Sequence, residues 1–260
     1  MASRWAFEAF MVTQFKDNPF EKQFYTLDQK EALAKYKKIY YLPALESELS
    51  VVINNRNRWR DKSESNPVKQ SLDLLRSELQ HELSKVGEDR FPYLDRLQLG
   101  KFDSLVYHKT DTFLHVLRKY YDIREQNAIK ERDAIIAEMT DTPGKLDLFN
   151  LSRMKFQNES VQDMVESRNV QVRIAKWKGE LIQKTSTIYF DDHRPAHMLD
   201  FRANFYVPVK YFGGKKYDTF YFNIAVIWFF SLTFYIALYF QWLKKLVNGL
   251  EAYRKYRSKD

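Results

Sequence analysis

Residues 220–243 read FYFNIAVIWFFSLTFYIALYFQWL, a run of twenty-four positions without a charged side chain. An α-helix rises about 1.5 Å per residue, so the run exceeds the roughly 20 residues that cross a bilayer core. Tyr221 and Trp242, near its two ends, carry amphipathic rings of the kind that favour the headgroup region. The alternative, a buried core helix, rarely contains so long an uncharged run. The sequence therefore predicts one transmembrane helix at 218–243.

The charges around this run predict its orientation. Six Lys and Arg residues follow it, whereas Lys210, Lys215 and Lys216 are the cations that shortly precede it. Cytoplasmic flanks of membrane helices carry the excess of Lys and Arg. We therefore expect a basic cytoplasmic tail at 244–260 and place residues 1–217 on the outer side of the membrane.

A large domain needs a signal sequence or an earlier span to reach the outer side. The N-terminal stretch MASRWAFEAFMVTQF has one early cation and no continuous apolar region, so it is not a signal peptide. Two interpretations remain open. Either the domain stays in the cytoplasm and the apolar run is a tail anchor, or the chain is a piece of a longer protein whose earlier spans lie upstream of Met1.

The composition excludes several classes of function. The chain has 42 Lys and Arg against 34 Asp and Glu, a formal net charge of +8. It has no basic stripe with interleaved aromatic residues, so nucleic acid is not an expected partner. It has no cysteine, which excludes disulfides, iron–sulfur clusters and thiol nucleophiles.

Motifs for enzyme chemistry are also missing from the sequence. The seven glycines build neither the G-x-x-x-x-G-K-[ST] nor the G-x-G-x-x-G phosphate-binding loop. In DDHRPAH at 191–197, Pro195 breaks any helix that would align His193 and His197 on one metal ion. We therefore predict that this chain is not an enzyme and holds no metal and no cofactor.

The middle of the chain has the periodicity of helices. Apolar residues recur at spacings of three and four through 67–86, after an N-capping Asn66 and a first-turn Pro67. This near-heptad seam predicts an antiparallel hairpin with 27–58, in which Pro43 introduces a kink. The expected contacts of the hairpin are Leu45, Leu49, Leu72, Leu75 and Leu79.

Further helices are predicted at 110–140, 146–155 and 159–183, the last with a strand-like break near 170–172. Together they make 27–200 a helical domain, followed by an aromatic-rich return segment at 201–217. The predicted fold class is mainly α, with a helical-hairpin or bundle domain followed by one transmembrane helix.

The N-terminal segment, residues 1–26, is predicted to be an interfacial or re-entrant amphipathic helix followed by a turn. Pro19 in DNPF ends the helix at about residue 16. Arg4 and Glu8 lie one turn apart and are the candidate functional residues, as an ion pair that serves gating or structure. The face expected to be apolar contains Trp5, Ala6, Ala9, Phe10 and Thr13.

The two ends of the chain resemble the permease half of ATP-binding-cassette exporters of the G-subfamily, or type-two, kind. In that family a short re-entrant helix follows the fifth span and has a pattern close to Ser-Arg-Trp-x-Phe-Glu-Ala. Here SRWAFEAF at 3–10, followed by Phe15 and Asn18, fits this pattern. GKKYDTFYFNIAVIWFFSLTFYIALYFQWLKKL at 214–246 resembles the sixth and last span of bacterial members.

The resemblance implies a role in ATP-driven transport across the bacterial inner membrane. The implied partners are the lipid bilayer, the remaining transmembrane helices and a nucleotide-binding domain, in a dimeric assembly. On this reading 27–200 is an extracytoplasmic domain for gating or partner docking. The chain departs from the family in the length of this insertion and in lacking the nucleotide-binding domain and five spans.

Overall fold

Helices dominate the computed structural model, which describes residues 2–58, 66–177, 179–190 and 204–242, together with 244 and 248. The DDHRPAH motif, the first residues of the return segment and most of the predicted tail lie outside the described residues. The helices are α1 (Ala2–Lys16), α2 (Tyr25–Tyr36), α3 (Leu42–Asn54), α4 (Pro67–Val86), α5 (Ser104–Met139), α6 (Pro143–Phe156), α7 (Glu159–Val165) and α8 (Thr219–Tyr239). The strands are β1 (Ile174–Trp177), β2 (Glu180–Gln183), β3 (Val209–Phe212) and β4 (Lys215–Asp218). The prediction of a mainly α fold with one candidate membrane helix is confirmed.

The apolar run forms α8. The Asp218 side chain caps its N-terminus by accepting a hydrogen bond from the N–H of Phe220 at 2.9 Å. The helix has 21 residues, a length of about 31 Å, and only 6% of its most apolar stretch is buried. Such exposure excludes a core helix of the described domain. α8 is therefore long enough and apolar enough to cross a membrane.

The predicted end of this helix at residue 243 is wrong. The regular helix stops at Tyr239, and Gln241 has a φ of 51°, in the left-handed region. A left-handed residue just beyond the last turn ends an α-helix because the following N–H groups can no longer continue the hydrogen-bond ladder. Trp242, the next residue, is again helical.

The predicted antiparallel hairpin is confirmed between α3 and α4. Its direction follows from two side-chain contacts, Tyr41 with Glu78 at 2.9 Å and Glu48 with Ser71 at 2.8 Å. From Tyr41 to Glu48 the residue number rises, whereas from Glu78 to Ser71 it falls, so the two helices run in opposite directions. The five predicted seam residues are each at most 2% exposed: Leu45, Leu49, Leu72, Leu75 and Leu79.

This seam is not purely apolar, because α4 also buries Glu78 and Glu82 completely. Glu82 pairs with Lys37 at 2.7 Å and accepts a hydrogen bond from the hydroxyl of Tyr121 on α5. Glu78 accepts a hydrogen bond from the N–H of Leu181 in β2 at 2.8 Å. Burial raises the pKa of Glu82, but Lys37, Lys85 and the Tyr121 hydroxyl together outweigh it and hold this pKa below its usual value. The two glutamates therefore tie α5 and the β1–β2 hairpin to α4.

The helical segment with the predicted kink at Pro43 is divided just before that residue by a π-helical turn. Residues 37–41 form a π-helical turn between α2 and α3, and Pro43 lies in the first turn of α3. A proline is favoured in a first helical turn because its missing N–H has no partner there. The widened turn contains Lys37, which pairs with Glu82.

Two other predicted helices have different bounds. α5 begins at Ser104 instead of 110, because the Asp103 side chain caps it by accepting a hydrogen bond from the N–H of Val106 at 2.8 Å. The helix predicted at 159–183 ends at Val165, and its second half is the antiparallel pair β1–β2. The predicted break near 170–172 lies in irregular backbone, and the strands begin just after it at Ile174.

Two buried clusters hold the domain together. The larger joins α3, α4, α5 and the turns around Phe91 and Leu97. The smaller joins Val12 and Phe15 of α1 to Val165 of α7 and to neighbouring residues that include Ile188. The N-terminal helix is consequently packed against the domain on one side.

Replacing Leu75 by Ala should lower the free energy of unfolding by about 2–5 kcal/mol, because Leu75 is fully buried in the α3–α4 seam. Leu105→Ala, at a position that is 49% exposed, is the matched control and should cost less than about 0.5 kcal/mol. Chemical denaturation of both variants in detergent provides the comparison. Equal effects of the two substitutions would contradict the hairpin core.

Candidate functional site at the base of the apolar helix

The carboxylate of Glu8 is the centre of a polar cluster at the start of α8. Glu8 is 2% exposed. It accepts hydrogen bonds from the Lys210 ammonium at 2.6 Å, the Asn223 amide at 2.9 Å and the backbone N–H of Tyr206 at 3.0 Å. These donors come from β3, from α8 and from the segment before β3. One side chain thus joins four parts of the fold.

The sequence of α1 explains why Glu8 points inward. The buried side of the helix consists of Glu8, Ala9, Met11, Val12 and Phe15. Of the face predicted to be apolar, only Ala9 is buried, and Phe10 is 66% exposed. α1 thus has apolar residues on two sides. One side packs against the domain and α8, and the other, with Phe7 and Phe10, is exposed.

Arg4 and Glu8, the predicted ion pair, do not pair with each other among the described residues. Arg4 is exposed, and its guanidinium lies 5.0 Å from the centroid of the Phe205 ring. An exposed pair one helical turn apart stabilises a helix by only about 0.3–0.5 kcal/mol. Glu8 instead turns to a buried lysine, where the loss of hydration makes compensation far more important.

Burial dominates the electrostatics of this cluster. Removal from water lowers the pKa of Lys210, and the adjacent Glu8 carboxylate opposes that shift. Lys210 is 6% exposed and also donates to the backbone carbonyl of Asn204 at 3.3 Å. Each charge of the pair therefore depends on the other for its place in the interior.

A second set of contacts fixes the entry into α8. Lys16, at the end of α1, pairs with Asp218, which caps α8. The Thr219 hydroxyl donates to the carbonyl of Val207 at 2.5 Å. Near the other end of α1, the carbonyl of Trp5 accepts a hydrogen bond from Asn223 at 3.1 Å. α1 and α8 are therefore antiparallel neighbours, joined at both ends of their contact.

The cluster is suited to holding α1, β3 and α8 together. Its charges are paired at close range, and it offers no serine, histidine or thiol as a nucleophile. Among the described residues no group of three or more His, Asp or Glu side chains is arranged to hold a metal ion. What the arrangement can do is hold α8 and α1 in one register against the domain.

The sequence contained a weak signal for the missed partners. Asn223 is the one amide in the first half of the uncharged run, and Lys210 stands alone in a stretch of aromatic and apolar residues. Polar groups in such surroundings normally have a partner. Nothing local to either residue, however, indicates that this partner is Glu8, about 200 positions earlier.

No protein-family model, curated protein or solved structure matches the chain. The resemblance of 3–18 and 214–246 to type-two exporters therefore rests on their sequence patterns alone. The contacts of Glu8 with Asn223 and of Lys16 with Asp218 join these two segments in the structure, and the sequence patterns did not predict them.

Replacing Glu8 by Ala should destabilise the protein by about 3–5 kcal/mol, because it leaves Lys210 buried without its counter-charge. Arg4→Ala should cost less than about 1 kcal/mol, since it removes only an exposed cation–π contact. Thermal unfolding of the full chain in detergent micelles measures both. A larger effect at Arg4 than at Glu8 would refute this account of the cluster.

Proposed function

We propose that the chain is the membrane-spanning, permease portion of an ATP-driven exporter of the type-two kind. It contributes the last transmembrane helix, α8, and a large extracytoplasmic helical domain that gates the exit path or docks a partner. The observation that carries the proposal is the meeting of the two ends of the domain at one place, through Glu8 with Lys210 and Lys16 with Asp218.

This geometry is what we expect of a domain inserted between two neighbouring membrane elements. Domain insertions are tolerated where the entry and exit points of the inserted chain lie close together. Here the chain leaves the end of α1 at Lys16 and returns to α8 at Asp218, and these two residues are in contact. The family pattern places a re-entrant helix and the last span in the corresponding positions.

The bare surfaces of α8 and α1 also support a membrane setting. Beyond its first turns, α8 exposes a continuous series of large apolar and aromatic side chains, and α1 adds Phe7 at 45% and Phe10 at 66% exposed. Water does not favour so large an apolar surface, whereas lipid and neighbouring spans do. The most exposed residues of α8 are Tyr221, Trp228, Phe229, Phe234, Tyr235, Leu238 and Tyr239.

On this proposal the remaining spans and the nucleotide-binding domain lie elsewhere in the transporter, which is a dimer in the bacterial inner membrane. Residues 1–217 face the outside and the basic tail faces the cytoplasm. ATP is bound and hydrolysed by the nucleotide-binding domain, since this chain has no phosphate-binding loop. The domain then acts on the outer side, without chemistry of its own.

The second candidate is a tail-anchored helical tether with its domain in the cytoplasm. One observation favours it: Val12 and Phe15 pack α1 into the smaller core cluster, as an ordinary first helix of a globular domain does. In that case α8 alone enters the bilayer. The two candidates place the domain on opposite sides of the membrane.

Cysteine labelling in intact cells of the natural host separates these candidates. The chain has no cysteine, so Ser104→Cys in the domain and Lys255→Cys in the tail give clean single sites. A membrane-impermeant maleimide should label Ser104→Cys in intact cells and Lys255→Cys only after permeabilisation. Protection of the Ser104→Cys site until the cells are opened would establish the tether instead.

The source of ATP hydrolysis is tested on protein tagged at its C-terminus in the same host. Purified in mild detergent, the assembly should contain a nucleotide-binding domain, on the same polypeptide or on a bound one, and should hydrolyse MgATP in a vanadate-sensitive manner. The matched control is the 260-residue chain purified alone, which should show no saturable ATP binding. An assembly without a nucleotide-binding domain would contradict the exporter proposal.

A further inference from the structure

A cavity of about 670 Å³ opens in the domain between α2, the C-terminal half of α5, α6 and the segment that follows β2. Small-molecule sites usually occupy about 300–1,000 Å³. None of the residues of the Glu8 cluster lines this cavity. It is therefore a separate feature of the molecule, and its role does not depend on the proposed transport function.

Aromatic rings form one wall of the cavity. Phe20 is 7% exposed, and its ring packs edge-on against Phe149 of α6 with centroids 5.3 Å apart. Phe24 and Tyr189, which also line the cavity, are 4% and 6% exposed. The faces of such rings attract organic cations as well as apolar groups.

The lining contains four carboxylates, Glu21, Asp28, Glu31 and Glu166, and five cations, Lys35, Arg132, Arg153, Arg168 and Arg173. Arg132 of α5 is shared between Asp28 at 3.2 Å and Glu31 at 2.8 Å. Arg168 is shared between Glu166 at 2.6 Å and a second carboxylate on α7. Each arginine thus serves two carboxylates, so both groups keep an excess of negative charge.

Of the remaining cations of the lining, only Arg153 acts noticeably on Glu21, whose pKa it lowers. Lys35 and Arg153 are exposed side chains, and Arg153 donates to Gln157 at 2.8 Å. Arg173 donates to the hydroxyl of Thr185 at 3.4 Å. Lys35 and Arg153 are hydrated and screened, so they offset the charge of the buried Glu21 only in part.

Glu21 is the carboxylate without a partner. It is 9% exposed and lines the cavity beside Phe20. Its backbone N–H donates to Asn18 at 2.8 Å, but across the described ranges its carboxylate accepts no hydrogen bond and forms no ion pair. Burial raises the pKa of Glu21 to about 7, with further increases from the charges of Asp28 and Glu166 and a smaller decrease from Arg153. A cation that enters the cavity would favour the charged form of this acid.

We propose that this cavity binds a small organic ammonium ion with an aromatic or apolar body, its charge beside Glu21 and its body against Phe20 and Phe149. An inorganic metal ion fits less well, since the described residues include no converging set of three metal-ligating side chains. An anion is disfavoured because it would lie next to the unpaired carboxylate.

Binding should depend on the ionisation of Glu21. The charged or titratable groups around it come from each neighbouring element: Asp28 and Glu31 on α2, Arg132 on α5, Arg153 on α6, Glu166 and Arg168 after α7, and Arg173 and Tyr189 around the hairpin. Lowering the pH through the pKa of Glu21, about 7, neutralises its carboxylate. The attraction for a permanent cation then falls, while the apolar walls are unchanged.

Calorimetric titration of the full chain in detergent micelles tests the proposal, with binding to empty micelles subtracted. The probe is benzyltrimethylammonium, whose charge does not change with pH, and the reference is its neutral near-isostere 2-methyl-1-phenyl-2-propanol. At pH 8 the cation should bind saturably and about tenfold more tightly than the alcohol. At pH 5.5 its affinity should fall about tenfold.

Variants identify the residues responsible. Glu21→Gln should bind the cation about tenfold more weakly at pH 8 and lose the pH dependence, whereas Glu159→Gln, an equal change of charge on exposed α7, should behave as wild type. Phe149→Ala, on a helix without buried residues, should weaken binding several-fold with the fold intact. The proposal is overturned if the cation does not bind, if the alcohol or 3-phenylpropionate binds as tightly, or if Glu21→Gln binds like wild type.

Discussion

A carboxylate that is almost fully buried must find compensation inside the protein, and Glu8 finds it in groups about 200 residues away along the chain. Its three donors belong to the segment before β3, to β3 and to α8, so none of these can reach its final place unless α1 is there. Removing any one partner leaves a charge or a donor buried without its counterpart, which costs far more than an exposed ion pair is worth. The attachment of α8 to the rest of the molecule thus depends on one side chain, with Lys16 and Asp218 fixing the direction of approach.

The same physical solution recurs inside the domain. Glu78 and Glu82 are completely buried on α4, and each accepts hydrogen bonds from elements that are distant in sequence. Apolar contacts along the α3–α4 seam supply most of the stabilisation, but leucines alone would tolerate a shift of one helix along the other. Buried carboxylates with specific donors do not tolerate such a shift. We infer that they fix the register of α4 against α5 and β2, at some cost in desolvation.

Features that depend on residues close together in the sequence could be predicted, whereas contacts between distant residues could not. The apolar run and the α3–α4 seam are local periodicities, and both are present in the structure. The end of α8 at Tyr239, the strands at 174–183 and the early start of α5 depend on single residues such as Gln241 and Asp103, whose effects composition does not reveal. The partner of Glu8 was unpredictable for a different reason. Arg4, one turn away, is the nearest cation in sequence, whereas Lys210 is the nearest cation in the folded chain.

The connection at Glu8 limits how the domain can act. Because the carboxylate binds β3, the preceding segment and α8 at once, α8 cannot slide along α1 without exposing Lys210 or leaving it unpaired. The smaller core cluster binds α1 to α7 as well. On the proposed function, a movement of α1 and α8 would be passed to the domain through these contacts. On the proposed function, gating on the outer side follows from the angle at which the domain is held. The proposed organic cation site shares no lining residue with the Glu8 cluster, but Tyr189 of its lining packs against Phe15 of α1.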